Sequence, residues 1–431
     1  MKKVAMLGLG FVGLPLALSF SMRGCAVVGV DIDRDLVQEL NRGHTHHLEA
    51  YEGKKIQDVL QEELAAGRFW ADDDALRAMQ ECDHIVVTVG IPVEGDHHDL
   101  SPVIEVCRTV GRGLKKGDLV LIRSTVIPGT TRDLILPLLQ EESGLEAGVD
   151  FNLAYSSERI AEGRAFHEFE HMPAALAGLT PACTQRAYEF LGLVTKAEIT
   201  RASSMEVVEA AKVMENISRD VDIAMVNEFA RFAKAMDLDI FEVVAVANTH
   251  LRVNLLTPGP GVGGYCLPNA LFYLLPKARD LGVSLDLLQA ARQVNQDMPR
   301  YVADLVLRRL PVAPGKAKIA VLGLAMKDYS NDDRMSPAHF VIRALQEAGC
   351  QVAAYDPAVP AAYDFKVDDL AQVLQGAHGL VLLARQDGID YRDLDYFAQH
   401  MAKDGPPFIV DTKNYYRREW VQEKGFILES L

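Results

Sequence analysis

The feature that most constrains the fold is a glycine-rich turn between an apolar strand and an apolar helix. Val4–Gly8 has the pattern of a short buried strand, and Gly8, Gly10 and Gly13 follow the spacing G-x-G-x-x-G. In such a turn the first glycine permits the tight bend, and the second lets backbone approach a pyrophosphate. The third allows the helix to pack closely on the strand. The pattern therefore predicts a dinucleotide-binding turn.

An acidic residue stands at the end of the next predicted strand. That strand is Val27–Asp31, and Asp31 lies 23 residues after Gly8. An acid at this position bonds a ribose 2′-hydroxyl and disfavours a 2′-phosphate, so the sequence predicts NAD rather than NADP, although Arg34 leaves NADP open. A glycine turn that serves packing alone is the alternative. The elements follow one another as strand, turn, helix, strand and acid, and this order favours a cofactor-binding turn over a turn that serves packing alone.

The balance of charge limits the classes of partner. The sequence has 431 residues, with 60 acidic against 44 basic side chains and a formal net charge of −16. Since domains usually have roughly 100–200 residues, we expect two or three of them. A hydrophobic content of 49% excludes intrinsic disorder, and the length excludes a small disulfide scaffold. The acidity argues against a nucleic-acid polymer or an anionic membrane as partner, because long-range repulsion would oppose both.

One segment resembles a targeting signal. After two lysines, the run Val4–Met22 carries no charge, as in a signal peptide. Its three glycines, Pro15 near a helix start and the lack of an A-x-A site favour a strand, a turn and a buried helix instead. The six cysteines are scattered without paired spacing, which suits a reducing compartment. We therefore expect a cytoplasmic protein that does not bind a membrane.

Strand-like and helix-like segments alternate through the first third of the chain, which predicts a parallel sheet covered on both faces. The stretch from 203 to 236 is different, because apolar residues recur there at helical spacing without glycine or proline. A helix of that length spans on the order of 50 Å. Such a helix favours a role in bridging lobes or in contacting a second subunit.

The strand pattern restarts after a linker rich in proline and glycine at 311–315. Lys318–Leu322 is the first strand of this second copy, and Asp356 follows the next strand as Asp31 does in the first. The second copy lacks the later glycines, so we expect it to hold no dinucleotide in the same way. The predicted fold class is α/β, with two Rossmann-like doubly wound domains joined by a long central helix and a helical middle domain. The predicted domains are residues 1–200, 201–310 and 311–431.

One of the six cysteines lies in a backbone-permissive loop. The loop Gly261–Pro268 contains Cys266 after three glycines. These glycines let a ligand come close, and a thiolate at this place would be a nucleophile. A buried structural cysteine is the usual alternative and fits the other five, which lie in apolar patterns. For Cys266 itself, both interpretations remain open.

Two further segments carry candidate catalytic side chains. Lys212 and Asn216 share one face of the predicted long helix, amid apolar residues where a lysine is costly without a purpose. A solvated charged face is the alternative. Glu158 follows the predicted strand Phe151–Tyr155 and is either a general base or a helix-starting acid. The histidines at 44, 46, 47, 97 and 98 lack a consistent ligand spacing, so no metal site is predicted.

Taken in order, these motifs resemble the UDP-sugar dehydrogenase family, the nucleotide-sugar 6-dehydrogenases, over nearly the whole chain. An ordered set of this kind is specific to the family, unlike any single motif. The motifs that carry the resemblance are the glycine turn at 8–13, Ser124–Val126, Ser157–Gly163, Lys212 with Asn216 and Asn227–Glu228, Gly263–Pro268, Gly323–Lys327, Asp332–Pro337, Tyr355–Pro357 and Asp411–Asn414.

The resemblance implies a four-electron oxidation of the C6 alcohol of a UDP-sugar to the carboxylate, with NAD as the cofactor. Cys266 would capture the aldehyde as a thiohemiacetal that is then oxidised to a thioester. Lys212 and Asn216 would stabilise the oxyanion. Glu158, with Thr125 near a water, would serve hydrolysis. The resemblance also implies a homodimer or a higher homo-oligomer, formed through the long helix.

Three overlapping sets of site residues follow from the motifs and the resemblance. The catalytic candidates are Cys266, Lys212, Asn216, Glu158 and Thr125. The cofactor-binding candidates are Gly8, Gly10, Phe11, Val12, Gly13, Asp31, Arg34, Thr125, Lys327 and Arg334. The substrate-binding candidates are Glu158, Arg159, Ile160, Glu162, Lys212, Asn216, Arg219, Arg252, Gly263, Gly264, Tyr265 and Lys327.

The segment Asn248–Asn254 looks like the branch that acts on UDP-N-acetylhexosamines, in which Arg252 would reach the substrate of the neighbouring subunit. We therefore expect oxidation of UDP-ManNAc or UDP-GlcNAc for surface polysaccharide biosynthesis. One departure is Ala270, which stands where the family usually has Asp four residues after the cysteine. UDP-glucose oxidation, partial oxidation and NAD-dependent epimerisation are the alternatives.

Overall fold

The computed structural model describes residues 2–95, 97–160 and 163–431. The chain divides into two units, each with a sheet of its own. The first unit comprises Met1–Glu215 and Phe272–Val283, and the second comprises Asn216–Leu271 and Ser284–Leu431. The three domains predicted from the sequence, with boundaries after residues 200 and 310, stay a prediction.

Strands and helices alternate over most of the first unit. Its strands are β1 (Lys3–Leu7), β2 (Ala26–Val30), β3 (Ala50–Tyr51), β4 (Lys54–Lys55), β5 (Phe69–Asp72), β6 (His84–Val87), β7 (Val93–Glu94), β8 (His97–His98), β9 (Leu119–Ile122), β10 (Asn152–Ser156), β11 (Ala174–Gly178) and β12 (Ile199–Arg201). Its helices are α1 (Gly13–Met22), α2 (Arg34–Asn41), α3 (Ile56–Ala65), α4 (Ala75–Met79), α5 (Ser101–Gly113), a π-helix (Thr131–Ile135), α6 (Leu136–Ser143), α7 (Ala165–His171) and α8 (Pro181–Leu191).

The main sheet of the first unit has eight strands in the order β12-β11-β10-β9-β6-β1-β2-β5. All its neighbouring strands are parallel except β10 and β11. The chain crosses over β1 between β5 and β6. The carboxyl ends of β1 and β6 therefore form the topological switch point, where sheets of this kind bind ligands. The glycine turn follows β1 at this point.

The uncharged run Val4–Met22, which resembles a targeting signal in sequence, contains the buried helix α1. Every residue from Gly13 to Ser21 is buried, and the helix contains no charged side chain. A helix that is apolar all round belongs inside a core. The prediction of a strand, a turn and a buried helix for this segment is confirmed.

Two boundaries of the units fall within long helices. In α9 (Met205–Ala235) the boundary follows Glu215, and in α11 (Cys266–Asp280) it follows Leu271. The remaining helices are α10 (Ile240–Ala247), α12 (Asp286–Arg309), a 3₁₀ turn (Pro314–Lys316), α13 (Pro337–Glu347), α14 (Leu370–Leu374), α15 (Leu394–His400) and α16 (Arg418–Glu423). The remaining strands are β13 (Lys318–Leu322), β14 (Gln351–Tyr355), β15 (Gly379–Leu382), β16 (Phe408–Asp411) and β17 (Ile427–Ser430).

The second sheet is parallel throughout, in the order β14-β13-β15-β16-β17. Its switch point lies at the carboxyl ends of β13 and β15. Asp356 follows β14 as predicted, but its Oδ2 accepts hydrogen bonds from the backbone N–H of Leu324 (2.7 Å) and Ala325 (3.1 Å). This carboxylate oxygen holds the turn of its own sheet, and the expectation that this copy holds no dinucleotide in the same way stays a prediction. The predicted fold class is confirmed.

The helices in the middle of the chain share a hydrophobic core with the second sheet. Val226 and Ala230 of α9 and Val302 of α12 are fully buried in one cluster with Ile319 of β13 and Val341 of α13. Full burial of an aliphatic side chain contributes roughly 1.5–3 kcal/mol. The helical middle and the second sheet therefore stabilise one another within the second unit.

Two helices differ from the sequence prediction. Residues 261–268 were expected to be a loop, but α11 begins at Cys266, so that Pro268 lies in its first turn. Proline is tolerated there because the first N–H groups of a helix have no intrahelical partner. Helix α10 was not predicted. Among the described residues, no helix combines the length and the apolar character needed to span a bilayer.

Candidate functional site

The three glycines of the turn after β1 differ in what a side chain would meet there. Gly8 has a φ of +99°, which L side chains rarely adopt. A Cβ on Gly13 would lie 1.8 Å from the carbonyl oxygen of Gly8, so only glycine lets α1 approach the turn this closely. A Cβ on Gly10 would meet no atom within 4 Å. The backbone at Gly10 therefore faces open space, as expected for a turn that receives a pyrophosphate.

Asp31 lies beside the same turn. Its Oδ2 accepts a hydrogen bond from the N–H of Leu9 (2.8 Å) and its Oδ1 accepts one from the N–H of Asp33 (3.1 Å). Arg34 is exposed and its Nε lies 3.0 Å from a carboxylate oxygen of Asp73. The acid is thus fixed against the glycine turn, while the nearby arginine is paired with another acid.

Thr88 is a part of the turn that the sequence analysis missed. Its Oγ1 donates to the carbonyl oxygens of Leu7 (3.0 Å) and Gly8 (2.8 Å). Thr88 directly follows β6, the strand beside β1 at the switch point. The order of strands in the sheet was needed to see that Thr88 touches the turn.

The histidines near residue 46 pack on the dinucleotide turn. The ring of His47 lies 5.2 Å from the ring of Phe11, measured between centroids. Burial, assisted by the neighbouring His46, lowers the pKa of His47 to about 4. His47 is therefore neutral at pH 7 and adds no positive charge to the turn. Within the described residues, no group of three or more His, Cys, Asp or Glu side chains is arranged to hold a metal ion.

Glu158 is buried and forms an ion pair with Arg123, which the sequence analysis missed. Oε2 of Glu158 accepts a hydrogen bond from Nη2 of Arg123. Oε1 of Glu158 accepts hydrogen bonds from the N–H of Arg159 (2.7 Å) and of Ile160 (3.0 Å). Both oxygens are therefore held, and the side chain has a defined place after β10. Glu162, another substrate-binding candidate, lies outside the described residues.

Helix α9 is anchored on both sides of Lys212. One turn before it, Glu209 accepts hydrogen bonds from the N–H groups of Gly129 (2.6 Å) and Thr131 (2.9 Å). Three residues after it, Glu215 forms a double ion pair with Arg159. The structure thereby brings the buried Lys212 to the segments that carry Thr125 and Glu158. Burial raises the pKa of Glu209, and the two N–H donors oppose that shift.

Other candidates on and after α9 lie in the second unit. Asn216 is buried on α9, whereas Arg219 is exposed. Arg252 is exposed in the segment after α10, and Tyr265 is half-buried directly before Cys266. Among the described residues, no contact assigns a role to the guanidinium of Arg219 or Arg252, so both roles stay predictions.

Cys266 is the exposed cysteine of the chain, and the other five are buried. It is the first residue of α11, at the positive end of the helix dipole, which favours negative charge nearby. The N–H of Gly264 donates to the carbonyl oxygen of Arg334 (2.9 Å). A Cβ on Gly263 would lie 2.8 Å from Cβ of Met326. The two glycines therefore let the loop before Cys266 lie tightly against the segment after β13.

A buried polar network holds the same loop from its other end. Oδ1 of Asn227 accepts a hydrogen bond from the N–H of Gly259 (2.9 Å), and its Nδ2 donates to Oδ1 of Asn295 (2.9 Å). Nδ2 of Asn295 donates to Oδ1 of Asp220 (2.9 Å), which also pairs with Nη1 of Arg292 (2.8 Å). Helices α9 and α12 thus fix the loop that leads to Cys266.

A cavity of about 210 Å³ opens at the switch point of the second sheet. The N-terminal end of α13 lies in its wall, and helix N-termini favour anions. The arrangement suits a phosphate-bearing ligand, because two lysines also face it. The lining includes Lys327, Lys413, Thr412, Ser336 and the loop from Thr257 to Gly261.

Acids of the second unit balance the basic side chains around this cavity. Nζ of Lys413 lies 3.0 Å from Oδ1 of Asp328, which also pairs with Arg385 (2.8 Å). Burial raises the pKa of Asp328, but the hydrogen bonds and charges of these two partners hold it below its usual value. Arg334 forms a double ion pair with Asp332. Lys413 lies in the motif Asp411–Asn414, but the sequence analysis did not predict a role for it.

A doubly wound sheet with a glycine turn and an acid after its second strand, followed by a second doubly wound sheet, indicates a dinucleotide-binding protein with a second domain of similar fold. Three family models match the chain in this order. They are the NAD binding domain at residues 2–191, the central domain at 206–297 and the UDP binding domain at 320–418. The chain belongs to the UDP-glucose/GDP-mannose dehydrogenase family, whose members are NAD-dependent nucleotide-sugar dehydrogenases.

Individual relatives match over nearly their whole length. A UDP-N-acetyl-D-mannosamine dehydrogenase of Pyrococcus horikoshii is 36% identical, covering 100% of this chain and 99% of the relative. A UDP-N-acetyl-D-glucosamine 6-dehydrogenase of Pseudomonas aeruginosa is 33% identical, covering 89% and 90%. The solved structure of the UDP-D-ManNAc dehydrogenase from Pyrococcus horikoshii superimposes with a TM-score of 0.91, covering 99% of this chain and 98% of that one. The family resemblance and the NAD prediction are confirmed.

Proposed function

We propose that this protein oxidises the C6 alcohol of a UDP-N-acetylhexosamine, with UDP-ManNAc as the first candidate and UDP-GlcNAc as the second, to the uronic acid used in surface polysaccharide. The observation that carries the proposal is the exposed Cys266 at the start of α11, after a loop fixed by Gly263 and Gly264. The relatives named for these two sugars, at 36% and 33% identity, support the choice of substrate.

In this proposal the glycine turn binds NAD, which is the hydride acceptor when bound. The thiol of Cys266 adds to the C6 aldehyde and forms a thiohemiacetal, which keeps a C–H bond available for the second oxidation. That oxidation leaves a thioester on Cys266. Water then cleaves the carbon–sulfur bond, releasing the carboxylate and restoring the thiol.

Besides Cys266, four side chains have three tasks in the proposed reaction. Lys212, with Asn216 one turn later on α9, stabilises the oxygen that becomes negative at C6. Glu158 takes a proton from the attacking water, and Thr125 orients that water. The pairing of Glu158 with Arg123 supports this role, because it holds the carboxylate in one place after β10.

The UDP moiety is assigned to the cavity of the second unit. Lys327, Lys413 and the N-terminal end of α13 favour a diphosphate there. The contact of Gly264 with the backbone of Arg334 links this cavity wall to the loop that leads to Cys266. A ligand held by its diphosphate would therefore be placed relative to the nucleophile by a short, rigid connection.

A substrate panel tests the function. Purified protein is incubated with NAD and with UDP-ManNAc, UDP-GlcNAc or UDP-glucose in turn. We expect two NADH per sugar with one of the hexosamines, and a product with two hydrogens fewer and one oxygen more than the parent. Ala270 at the position of the usual Asp makes the stoichiometry informative. One NADH per sugar would mean partial oxidation, and a product of unchanged mass would mean epimerisation; either result contradicts the proposal.

We also propose a homodimer in which a second copy of the chain covers the exposed side of α9. Three large apolar side chains in the last three turns of this helix, and Met236 directly after it, are exposed. Contiguous apolar patches on soluble proteins usually mark interfaces. A twofold dimer would cover the same patch on both copies. The four side chains, with their exposed fractions, are Met225 (39%), Phe229 (43%), Phe232 (66%) and Met236 (54%).

Changing Phe232 to Asp is expected to shift the protein from dimer to monomer, because a carboxylate would be desolvated in the paired patch. Sedimentation velocity over a range of concentrations measures the shift. Glu228→Gln, an exposed polar position on the same helix, is the control and should stay dimeric. A wild-type protein that sediments as a monomer at every concentration would contradict the dimer.

We place the reaction in the cytoplasm. All six cysteines are free, which fits a reducing compartment. The net charge of −16 opposes association with a nucleic-acid polymer or an anionic membrane. Cell fractionation should recover the NAD-dependent activity with cytoplasmic marker enzymes, and recovery with the membrane fraction would contradict this placement.

A further inference from the structure

A buried carboxylate on α9 takes no part in the chemistry proposed above. Glu209 has only 1% of its surface exposed and lies one helical turn before Lys212. Its Oε2 accepts a hydrogen bond from the N–H of Gly129 at 2.6 Å, and its Oε1 accepts one from the N–H of Thr131 at 2.9 Å. Both partners are backbone groups 80 and 78 residues away in sequence.

These two N–H groups belong to the loop that carries Thr125. The loop leaves β9 and enters the π-helix Thr131–Ile135. Gly129 has a φ of +100°, and a Cβ there would lie 3.0 Å from Oδ2 of Asp133. The loop therefore takes a bend that favours glycine, and the carboxylate of Glu209 satisfies backbone donors that would otherwise be buried without partners.

The other end of the same loop is fixed by a different side chain. The hydroxyl of Tyr155, a fully buried residue of β10, donates to the carbonyl oxygen of Ser124 at 3.1 Å. Thr125 thus lies between two anchors, Tyr155 on the sheet and Glu209 on α9. Because Glu209 and Lys212 share one helix, the second anchor also sets the distance between the loop and the lysine.

We propose that Glu209 is a positioning residue that fixes the loop of Thr125 in register with Lys212. The proposal rests on the function proposed above, in which these two side chains act on the water and on the C6 oxygen. Glu209 touches neither substrate nor cofactor in this account. Its effect passes through the backbone at Gly129 and Thr131 and along one turn of α9.

Glu209→Gln tests the proposal, because glutamine keeps the shape but turns one acceptor oxygen into a donor that faces an N–H. A displacement of about 1 Å in a positioned group costs up to about 10²-fold in rate. We expect kcat to fall about 10- to 100-fold, with little change in KM for the sugar or in the dissociation constant for NAD, measured by fluorescence titration. A loss of sugar affinity with unchanged kcat would contradict positioning.

Glu206→Gln is the matched control. Glu206 lies on the same helix three residues earlier and pairs with the more exposed Arg132 of the same segment. Its substitution removes an ion pair near the loop but leaves the backbone donors of Gly129 and Thr131 satisfied by Glu209. We expect kcat within about twofold of wild type, in the range usual for surface pairs. Equal losses in both variants would overturn the proposal.

Hydrogen exchange of the loop amides, measured without substrate, provides a readout that does not depend on activity. We expect faster exchange of at least one of the amides of Gly129 and Thr131 in Glu209→Gln and unchanged exchange in Glu206→Gln. Unchanged exchange in both variants overturns the proposal. If wild-type protein oxidises no UDP-sugar but the exchange result holds, the proposed function fails while the anchoring by Glu209 stands.

Glu209→Asp covers the case in which the glutamine variant does not fold. It keeps the charge but shortens the side chain by one methylene, so it can reach one of the two N–H groups at most without a shift of α9. We expect faster exchange at one of the two amides and a kcat between those of wild type and Glu209→Gln. Wild-type exchange together with wild-type kcat in this variant would also overturn the proposal.

Discussion

Replacing Cys266 with alanine is expected to lower the two-NADH turnover by about 10⁴-fold or more. Without the thiol the aldehyde has no covalent partner, so the carbon cannot be presented as a thiohemiacetal for the second oxidation. The product that remains should be the aldehyde or its hydrate, with at most one NADH per sugar. Stopped-flow absorbance of NADH and the mass of the product measure this outcome.

The buried cysteines provide the control for this variant. Cys350→Ala removes a thiol that is 5% exposed in the second unit and should keep the stoichiometry of two NADH. Iodoacetamide should alkylate the native wild-type protein at Cys266 alone, because the other five thiols are buried. A Cys266→Ala protein that still forms two NADH per sugar at the wild-type rate would refute covalent catalysis.

The local parts of the fold were predictable because their causes lie within a few residues. The spacing of Gly8, Gly10 and Gly13 specifies a turn through steric limits that act between neighbours, and the structure has that turn. The long helix was predicted from an unbroken helical pattern and extends over Met205–Ala235. The start of α11 at Cys266 was not predicted, because a glycine-rich stretch with a proline gives no sign of where a helix begins.

The side chains that support the candidate site were not predictable from sequence. Arg123 pairs with Glu158 across 35 residues, and Glu209 bonds the loop at Gly129 across 80 residues. The order of strands in the sheet and the path of α9 bring these partners together. No local sequence pattern specifies either of them. In sequence alone, an arginine after a strand or a glutamate on a helix is as easily interpreted as an exposed, solvated side chain.

The structure also changes how the net charge is understood. A chain with a net charge of −16 belongs to a family with domains for two anionic ligands, NAD and UDP. Its overall field therefore does not attract them. We expect local features to attract these ligands instead: backbone donors at the glycine turn, and Lys327 with Lys413 around the cavity of the second sheet.

Replacing Glu158 with glutamine is expected to trap the reaction at the thioester. Glutamine cannot take the proton of the attacking water, and loss of a positioned general base typically costs about 10²–10⁴-fold. Both oxidations precede hydrolysis, so each active site should release two NADH in a rapid burst and then turn over slowly. Intact-protein mass spectrometry should find the uronyl group of the UDP-sugar attached to Cys266.

The control must separate this effect from the loss of a buried ion pair, since Glu158 and Arg123 are both buried. Breaking such a pair by removing one partner costs about 3–5 kcal/mol. Glu170→Gln provides the comparison, because Glu170 is also buried in the first unit and pairs with Lys196 at 2.8 Å. Both variants should unfold at lower denaturant concentration, but only Glu158→Gln should accumulate the adduct. If neither variant accumulates the adduct, and the burst and the steady-state rate of Glu158→Gln fall by the same factor, Glu158 acts on stability alone.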